Sequence, residues 1–136
     1  MKSISLTVIS SIFIFITVMS YGVYAEQSAE DAAVASSQKW LSLVDTGKYA
    51  EIWDEAAGYF KNAVPKQKWL ESMEAFRKPL GKLISRKLKS KQYATTLPGA
   101  PDGEYVVIQY ETSFENKMSA TETITPMLDK DGTWRV

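Results

Sequence analysis

The chain has 136 residues, with 16 basic and 16 acidic side chains, and it contains neither histidine nor cysteine. Those absences exclude Ser-His-Asp and Cys-His nucleophiles, disulfides, and the histidine or thiolate ligands of zinc and haem sites. Balanced charge also argues against a nucleic-acid partner, since such proteins normally carry a basic surplus. We therefore expect no cofactor, no metal and no bound nucleic acid.

The first 25 residues have the three-part pattern of a secretory signal peptide. Lys2 precedes an uncharged apolar run over residues 6–19, and Val23-Tyr24-Ala25 places a small residue before the cleavage point. An uncleaved N-terminal anchor is the alternative, but the run is shorter than the roughly 20 residues that span a bilayer. The sequence thus predicts export to a bacterial periplasm or the medium. The exported part is one domain, residues 26–136, with no stable membrane insertion after cleavage.

Three helices are predicted in the first half of that domain. Each is marked by a start signal or an apolar stripe of helical spacing, and by a stop signal. The first and last marker residues of the three helices are Ser28 and Gly47, Tyr49 and Phe60, and Pro65 and Pro79. The buried side of the third helix is expected to carry Trp69, Met73 and Phe76.

From Lys82 the hydrophobic period changes to two, which predicts strands. After the strand that begins there, we expect strands at residues 105–114, 118–128 and from Trp134, separated by turns at residues 98–103 and 129–132. The strand that starts at Trp134 has only three residues, so it is either a short strand or a truncated one. The predicted fold is α+β: three N-terminal helices packed on a curved antiparallel meander sheet of about four strands.

The register of the central hairpin decides which polar groups share a face. A three-residue loop at residues 116–118 would set Thr112 opposite Glu122 and Tyr110 opposite Ile124. A two-residue loop would set Glu111 opposite Glu122, and two like charges facing each other are unfavourable. The first register also keeps the apolar residues of both strands on one face, so it is preferred.

In that register Arg86, Tyr110 and Glu122 all point toward the core or a pocket. They are the candidate ligand-binding residues, either holding a polar ligand or acting as acid and base. The alternative, which we favour, is a buried ion pair that fixes the strand register. No residue is predicted to be catalytic.

Three other features have a functional and a structural interpretation. Trp40, Trp53 and Trp69 could form an aromatic cage, but their helical spacing favours core packing. The Asp129-Lys130-Asp131-Gly132 segment resembles part of a calcium loop but lacks its length and distal glutamate, which favours a hairpin turn. A basic run in the first strand favours a solvated, edge-protecting face over an acidic partner or the cell envelope. That run comprises Lys82, Arg86, Lys87, Lys89 and Lys91.

An ordered set of motifs along nearly the whole exported domain resembles the family catalogued as domain of unknown function 4019. The motifs are Trp40-Leu41, Val44-Asp45, Gly47, Tyr49, Trp53, Trp69, Arg77, Pro79-Leu80-Gly81, Ser85-Arg86, residues 97–105, residues 114–117, Glu122-Thr123 and residues 131–136. The family is mostly bacterial and exported, with no established activity, so the resemblance implies compartment and fold. Its final strand normally continues past the Trp-Arg-Val stretch where this chain stops, which bears on how the sheet closes.

The order of elements is also similar to the nuclear-transport-factor-2-like (NTF2-like) cone fold, in which a curved sheet wraps a long helix around a pocket. That fold hosts enzymes, ligand binders and structural dimers, so it implies no single function. Our first hypothesis is a non-catalytic domain that binds a small molecule or a protein partner. The alternatives are a cofactor-free enzyme using Arg86, Glu122 and Tyr110, and a homodimer formed through Tyr105 and Val107 on the outer sheet face.

Overall fold

The computed structural model describes the backbone of residues 18–136 and the side chains from residue 22 onward, so most of the predicted signal peptide lies outside the described residues. The helices are α1 (Val18–Asp45), α2 (Tyr49–Glu55), α3 (Gly58–Ala63) and α4 (Lys66–Ser72), followed by a π turn (Met73–Arg77) and a 3-10 turn (Lys78–Leu80). The strands are β1 (Leu83–Ala94), β2 (Tyr105–Phe114), β3 (Lys117–Ile124), β4 (Met127–Leu128) and β5 (Trp134–Arg135). The predicted α+β order of helices followed by an antiparallel sheet is confirmed.

Helix α1 begins before the predicted capping box and ends where the sequence predicts. It continues unbroken through Ser28, which is therefore an interior helical residue. Its C-terminal end is a Schellman turn, in which Gly47 has φ 75° and the Lys48 N–H donates to the Leu43 carbonyl at 3.0 Å. No helix of residues 18–136 is both long and apolar enough to cross a membrane.

The second predicted helix is two helices, because the chain leaves helical geometry at Ala56. This residue has ψ 160°, and the next N–H, of Ala57, donates to the Val136 carbonyl at 2.8 Å. Both alanines are buried against the core. The break therefore joins the helical layer to the last strand of the sheet.

The π turn explains why the predicted burial of Phe76 is wrong. The Lys78 N–H donates to the Met73 carbonyl, five residues earlier, so this turn contains one more residue than an α-helical turn. The extra residue rotates Arg77 into the interior and turns Phe76 outward, where it is 77% exposed. Met73 is buried as predicted.

Strand β2 is the centre of the sheet. It pairs with β1 on one side, with β3 along most of its other side, and with β4 at Tyr105, while β5 pairs only with β4. The predicted third strand is two strands because Pro126 interrupts the ladder, although its carbonyl still accepts the Val106 N–H at 3.1 Å. The predicted inner face of β2 is confirmed, and its buried residues are Val106, Ile108, Tyr110, Thr112 and Phe114.

The predicted register between β2 and β3 is wrong by two residues. Tyr110 lies opposite Glu122, and Thr112 lies opposite Ala120. Phe114 pairs with Lys117 across a two-residue turn. A bulge in β3 between Lys117 and Ala120 then shifts the pairing by one residue, so that Ala120 lies opposite Thr112. Because the error is an even number of residues, Glu122 still faces the interior, as the hydrophobic pattern requires.

Helix α1 lies across the inner face of the sheet and forms two clusters of buried side chains. One cluster joins Leu41 to residues of β2 and β3, and the other joins Val44 to α2 and the π turn. Trp40 packs against both clusters, so it links the sheet to the helical layer. This arrangement brings the C-terminal end of α1 close to the inner face of β1 and β3.

Candidate functional site

The guanidinium group of Arg86 bridges the carboxylate of Asp45, at the end of α1, and that of Glu122 in β3. Its NH1 and NH2 groups donate to Asp45 at 2.6 and 3.1 Å, and its Nε and NH2 groups donate to Glu122 at 2.7 and 3.1 Å. The Thr112 hydroxyl also donates to Glu122. The side chains of Arg86, Asp45 and Glu122 are 12, 15 and 16% exposed, so the cluster is largely shielded from water.

Arg77 extends this cluster from the π turn. Its NH2 group donates to Asp45 at 3.1 Å and its NH1 group to the Gly81 carbonyl at 2.8 Å. Its guanidinium carbon lies 4.5 Å from the centre of the Phe114 ring, within the range of a cation–π interaction. Two arginines therefore face two carboxylates, and the formal charges of the cluster cancel.

Asp45 and Arg77 are site residues that the sequence analysis did not identify. Asp45 is the last residue of α1, where the negative end of the helix dipole disfavours a carboxylate. An acidic residue at that position was an available signal that a cation lies nearby. The burial of Arg77 had no such signal, because it depends on the π turn.

Asp45 is held in its ionised form. Burial alone would raise the pKa of its carboxyl group, but the hydrogen bonds from Arg86 and Arg77 outweigh burial and keep that pKa below its ordinary value. Burial opposes the charge of Arg86 in the same way, yet its bonds to Asp45 and Glu122 raise the pKa of the guanidinium. A paired carboxylate and a permanently charged arginine are poorly suited to proton transfer at neutral pH.

We expect the ionised carboxylate of Asp45 to contribute to stability, and we expect acid to remove that contribution. Its pKa is lowered on folding from an ordinary value of 3.8, so its contribution is complete above that value and is lost as pH falls through the lower folded value. The free energy of unfolding, measured by urea titration from about pH 7 to about pH 2.5, should fall less steeply for Asp45→Asn than for wild type. Equal slopes below about pH 4 would contradict this assignment.

Tyr110, the third predicted site residue, does not join the cluster. Its backbone pairs with Glu122, but its hydroxyl lies 2.6 Å from the Ser37 Oγ of α1. Because Ser37 donates to the Val34 carbonyl at 2.9 Å, we assign Tyr110 as donor to Ser37. Tyr110 is 2% exposed, so it fastens α1 to the sheet. The structure therefore brings together Arg86 and Glu122, with Asp45 and Arg77 in place of Tyr110.

A separate groove of about 800 Å³ lies between α1, the end of α2 and the β4–β5 hairpin. The indoles of Trp40 and Trp134 line it, and both are half-buried. Four basic and four acidic side chains complete the lining, namely Lys39, Lys61, Lys130, Arg135, Asp54, Glu55, Asp129 and Asp131. The groove thus combines aromatic surface with balanced charge.

A smaller hollow of about 470 Å³ opens beside the C-terminal end of α1. Asp45 and Arg77 lie in its wall, together with Lys82 and Glu115. Arg86, Tyr110 and Glu122 line neither this hollow nor the groove. Of the four residues in the ion-pair cluster, only Asp45 and Arg77 line either of these two cavities, and the sequence analysis missed both.

The three helical tryptophans take part in packing. The rings of Trp40 and Trp69 lie 5.9 Å apart between centroids, and the Phe60 ring meets Trp69 edge-on at 5.4 Å. The indole N–H groups of Trp53 and Trp69 donate to backbone carbonyls, each at 2.8 Å. These contacts support the core interpretation and leave no three-sided cage.

The carboxylates of the β4–β5 turn are occupied by protein groups. Arg135 donates to both oxygens of Asp131 at 2.7 Å, and the N–H groups of Gly58 and Lys130 donate to Asp129 at 3.1 and 2.8 Å. The turn itself closes with the Gly132 N–H on the Asp129 carbonyl at 2.9 Å. Residues 18–136 contain no group of three or more metal-ligating side chains that could hold a metal ion.

A long helix lying across an antiparallel sheet is the arrangement of the NTF2-like fold. A crystal structure from Campylobacter jejuni, described as an NTF2-like transpeptidase, is similar with a TM-score of 0.52 and 13% identity, over 76% of this chain and 93% of that one. At this identity the likeness shows the fold alone. Residues 36–136 match the model of the family described as protein of unknown function (DUF4019), and the chain belongs to that family. No curated protein matches the sequence.

Proposed function

We propose that this is an exported, non-catalytic domain that binds a small amphipathic molecule in the groove between α1, α2 and the β4–β5 hairpin. The observation that carries the proposal is the composition of that groove. Two half-buried indoles offer flat apolar surface, and the charged side chains around them carry no net charge, with Lys39 paired to Glu55 at 3.0 Å and Arg135 to Asp131 at 2.7 Å. A ligand with an apolar face, polar substituents and no net charge fits these walls.

The geometry of the groove favours a ligand over a purely structural role. Hydrogen bonds from Ser36 to the Trp134 carbonyl at 2.8 Å and from Ala57 to the Val136 carbonyl already hold the hairpin on the helices. The groove is therefore not needed for that purpose. Its volume is in the range of small-molecule sites, roughly 300–1,000 Å³.

Two observations disfavour the alternative functions. The cofactor-free enzyme needs Arg86, Glu122 and Tyr110 in one accessible cavity, whereas Tyr110 is buried and the other two are bound to protein groups. Self-association through the outer sheet face relied on Tyr105 and Val107. Tyr105 is 3% exposed and donates its hydroxyl hydrogen bond to the Pro101 carbonyl of the preceding loop, and Val107 is half-buried. A protein partner elsewhere on the surface remains compatible with the groove.

A groove-filling variant tests the proposal. Ala35 is an exposed α1 residue in the groove wall, so Ala35→Trp adds bulk there without removing a core contact. We expect native mass spectrometry of protein recovered from the periplasm of an expressing bacterium to show a cleaved chain with a defined extra mass. That mass should be lost in Ala35→Trp.

The matched control is Gln38→Trp, which adds the same side chain at an exposed α1 position outside the groove wall. It should keep the extra mass. A wild-type protein without any adduct, or an adduct retained by Ala35→Trp, would contradict the groove as binding site. An uncleaved chain would contradict the predicted signal peptide.

A further inference from the structure

Strand β1 forms one edge of the sheet, with β2 as its neighbour on the other side. In an antiparallel pair, the backbone groups of successive residues point alternately to the neighbour strand and away from it. Tyr93 shows which residues point away, because its N–H donates to Glu30 Oε1 at 3.3 Å instead of to β2. The alternation can be followed back from Tyr93 through the bulge between Leu88 and Ser90. The residues whose backbone N–H and C=O groups also point to the outer edge are then Arg86, Leu88 and Lys91.

This edge is basic on the outer face of the sheet. Lys87 and Lys89 are both exposed. Within residues 18–136, the one ion pair that either of them makes joins Lys89 to Glu111, at 3.9 Å. Lys82, at the start of the strand, is also exposed and makes no ion pair in the described part of the chain. These three lysines therefore outnumber the one carboxylate paired with them, which leaves this part of the edge with a net positive charge.

The same charges disfavour pairing with a second copy of the chain. If two β1 strands paired antiparallel about Leu88, Lys87 of one copy would lie opposite Lys89 of the other. Like charges directly opposite each other destabilise a sheet, and edge lysines commonly prevent such association. The edge is thus protected against itself, while the outward backbone groups of Arg86 and Leu88 make no hydrogen bond to other groups of residues 18–136.

Apolar side chains accompany this edge on its other side. Leu88 pairs with Tyr110 and so lies on the inner face, yet it is 40% exposed. Ile84, at the first bulge of the strand, is 59% exposed. A strand added along β1 would therefore meet lysines on one face and apolar side chains on the other.

We propose that the free edge of β1 binds an extended segment of a partner protein in which acidic and apolar residues alternate. The segment adds a strand to the sheet through the backbone groups of Arg86 and Leu88, because Glu30 and Asp31 of α1 bind Lys91 and the Tyr93 N–H farther along the strand. Its acidic residues lie beside Lys87 and Lys89, and its apolar residues lie beside Leu88. The surface is distinct from the groove, so either proposal can fail without the other.

The test uses a fluorophore-labelled peptide of about ten alternating glutamate and valine residues, a length typical of a long strand. Fluorescence anisotropy should show binding to the wild-type domain. Lys87→Glu combined with Lys89→Glu should weaken it about tenfold or more, because opposite charges become like charges. Lys117→Glu combined with Lys68→Glu, which changes the net charge equally at exposed positions away from β1 and from the groove, should leave it within about twofold.

Two further measurements separate strand addition from simple charge attraction. The same peptide with N-methyl groups at alternate residues cannot complete the ladder, so it should not bind. Hydrogen exchange should show new protection of the Arg86 and Leu88 amides with the unmodified peptide. The proposal is overturned by absent binding, by unchanged affinity of the β1 charge variant, by equal binding of the N-methylated peptide, or by protection confined to another surface.

Discussion

Arg86→Met should destabilise the domain by about 3 kcal/mol, at the lower end of the range for breaking a buried ion pair. The variant removes four hydrogen bonds to two carboxylates and leaves Glu122 without a cation inside a largely buried cluster. Asp45 keeps Arg77, and slight exposure of the cluster lets water compensate in part, so the loss stays below the upper end. Urea unfolding at neutral pH, with an unchanged dependence on denaturant, measures this difference.

Lys87→Met is the matched control for this prediction. It makes the same replacement of a basic side chain one residue later, at an exposed position of β1, and should change stability by less than about 0.5 kcal/mol. In the Arg86→Met background, Glu122→Gln should cost less than it does in wild type, because it removes a carboxylate that has lost its partner. Wild-type stability of Arg86→Met combined with loss of the bound mass would instead assign Arg86 to a ligand site.

Phe114→Ala should destabilise the domain by about 3–5 kcal/mol. Phe114 is 1% exposed at the end of β2, so its removal leaves a cavity in the core. Its ring also supports the guanidinium of Arg77, which would then keep its charge in the interior without that contact. The two effects act at one position, which is why we expect one of the largest losses in the chain.

Phe76→Ala provides the comparison, since it removes the same ring from the π turn, where the ring is mostly exposed. It should change the free energy of unfolding by less than about 0.5 kcal/mol. Thermal or urea unfolding of both variants gives the ordering. Similar losses for the two phenylalanines would mean that the π turn does not rotate Phe76 out of the core.

Long, strongly periodic segments were predictable from the sequence. The inner face of β2 follows from the alternation of side chains between Val106 and Phe114, and the end of α1 follows from Gly47. Segments in which two backbone conformations compete were not predictable. The stripe from Tyr49 to Phe60 fits one helix in spacing, but the Ala57 N–H finds its partner in Val136, far along the chain.

The site shows the same division. Arg86 and Glu122 could be placed on one face because side-chain alternation has a period of two, and a register error of two residues preserves the face. Tyr110 was placed beside them for the same reason, but its long side chain reaches past the strand to Ser37 on α1. Asp45 and Arg77 joined the cluster through helix ends, whose positions relative to a sheet have no local pattern.

By itself, the sequence determined the α+β order of elements and the absence of histidine and cysteine chemistry, because these depend on composition and on short-range periodicity, and its ordered motifs indicated the family. Only the tertiary structure decided the β2–β3 register, the π turn that buries Arg77, the four-residue ion-pair cluster and the groove beside Trp40 and Trp134. Those features depend on contacts between residues distant in the chain, whose relative positions are set by packing across the whole core.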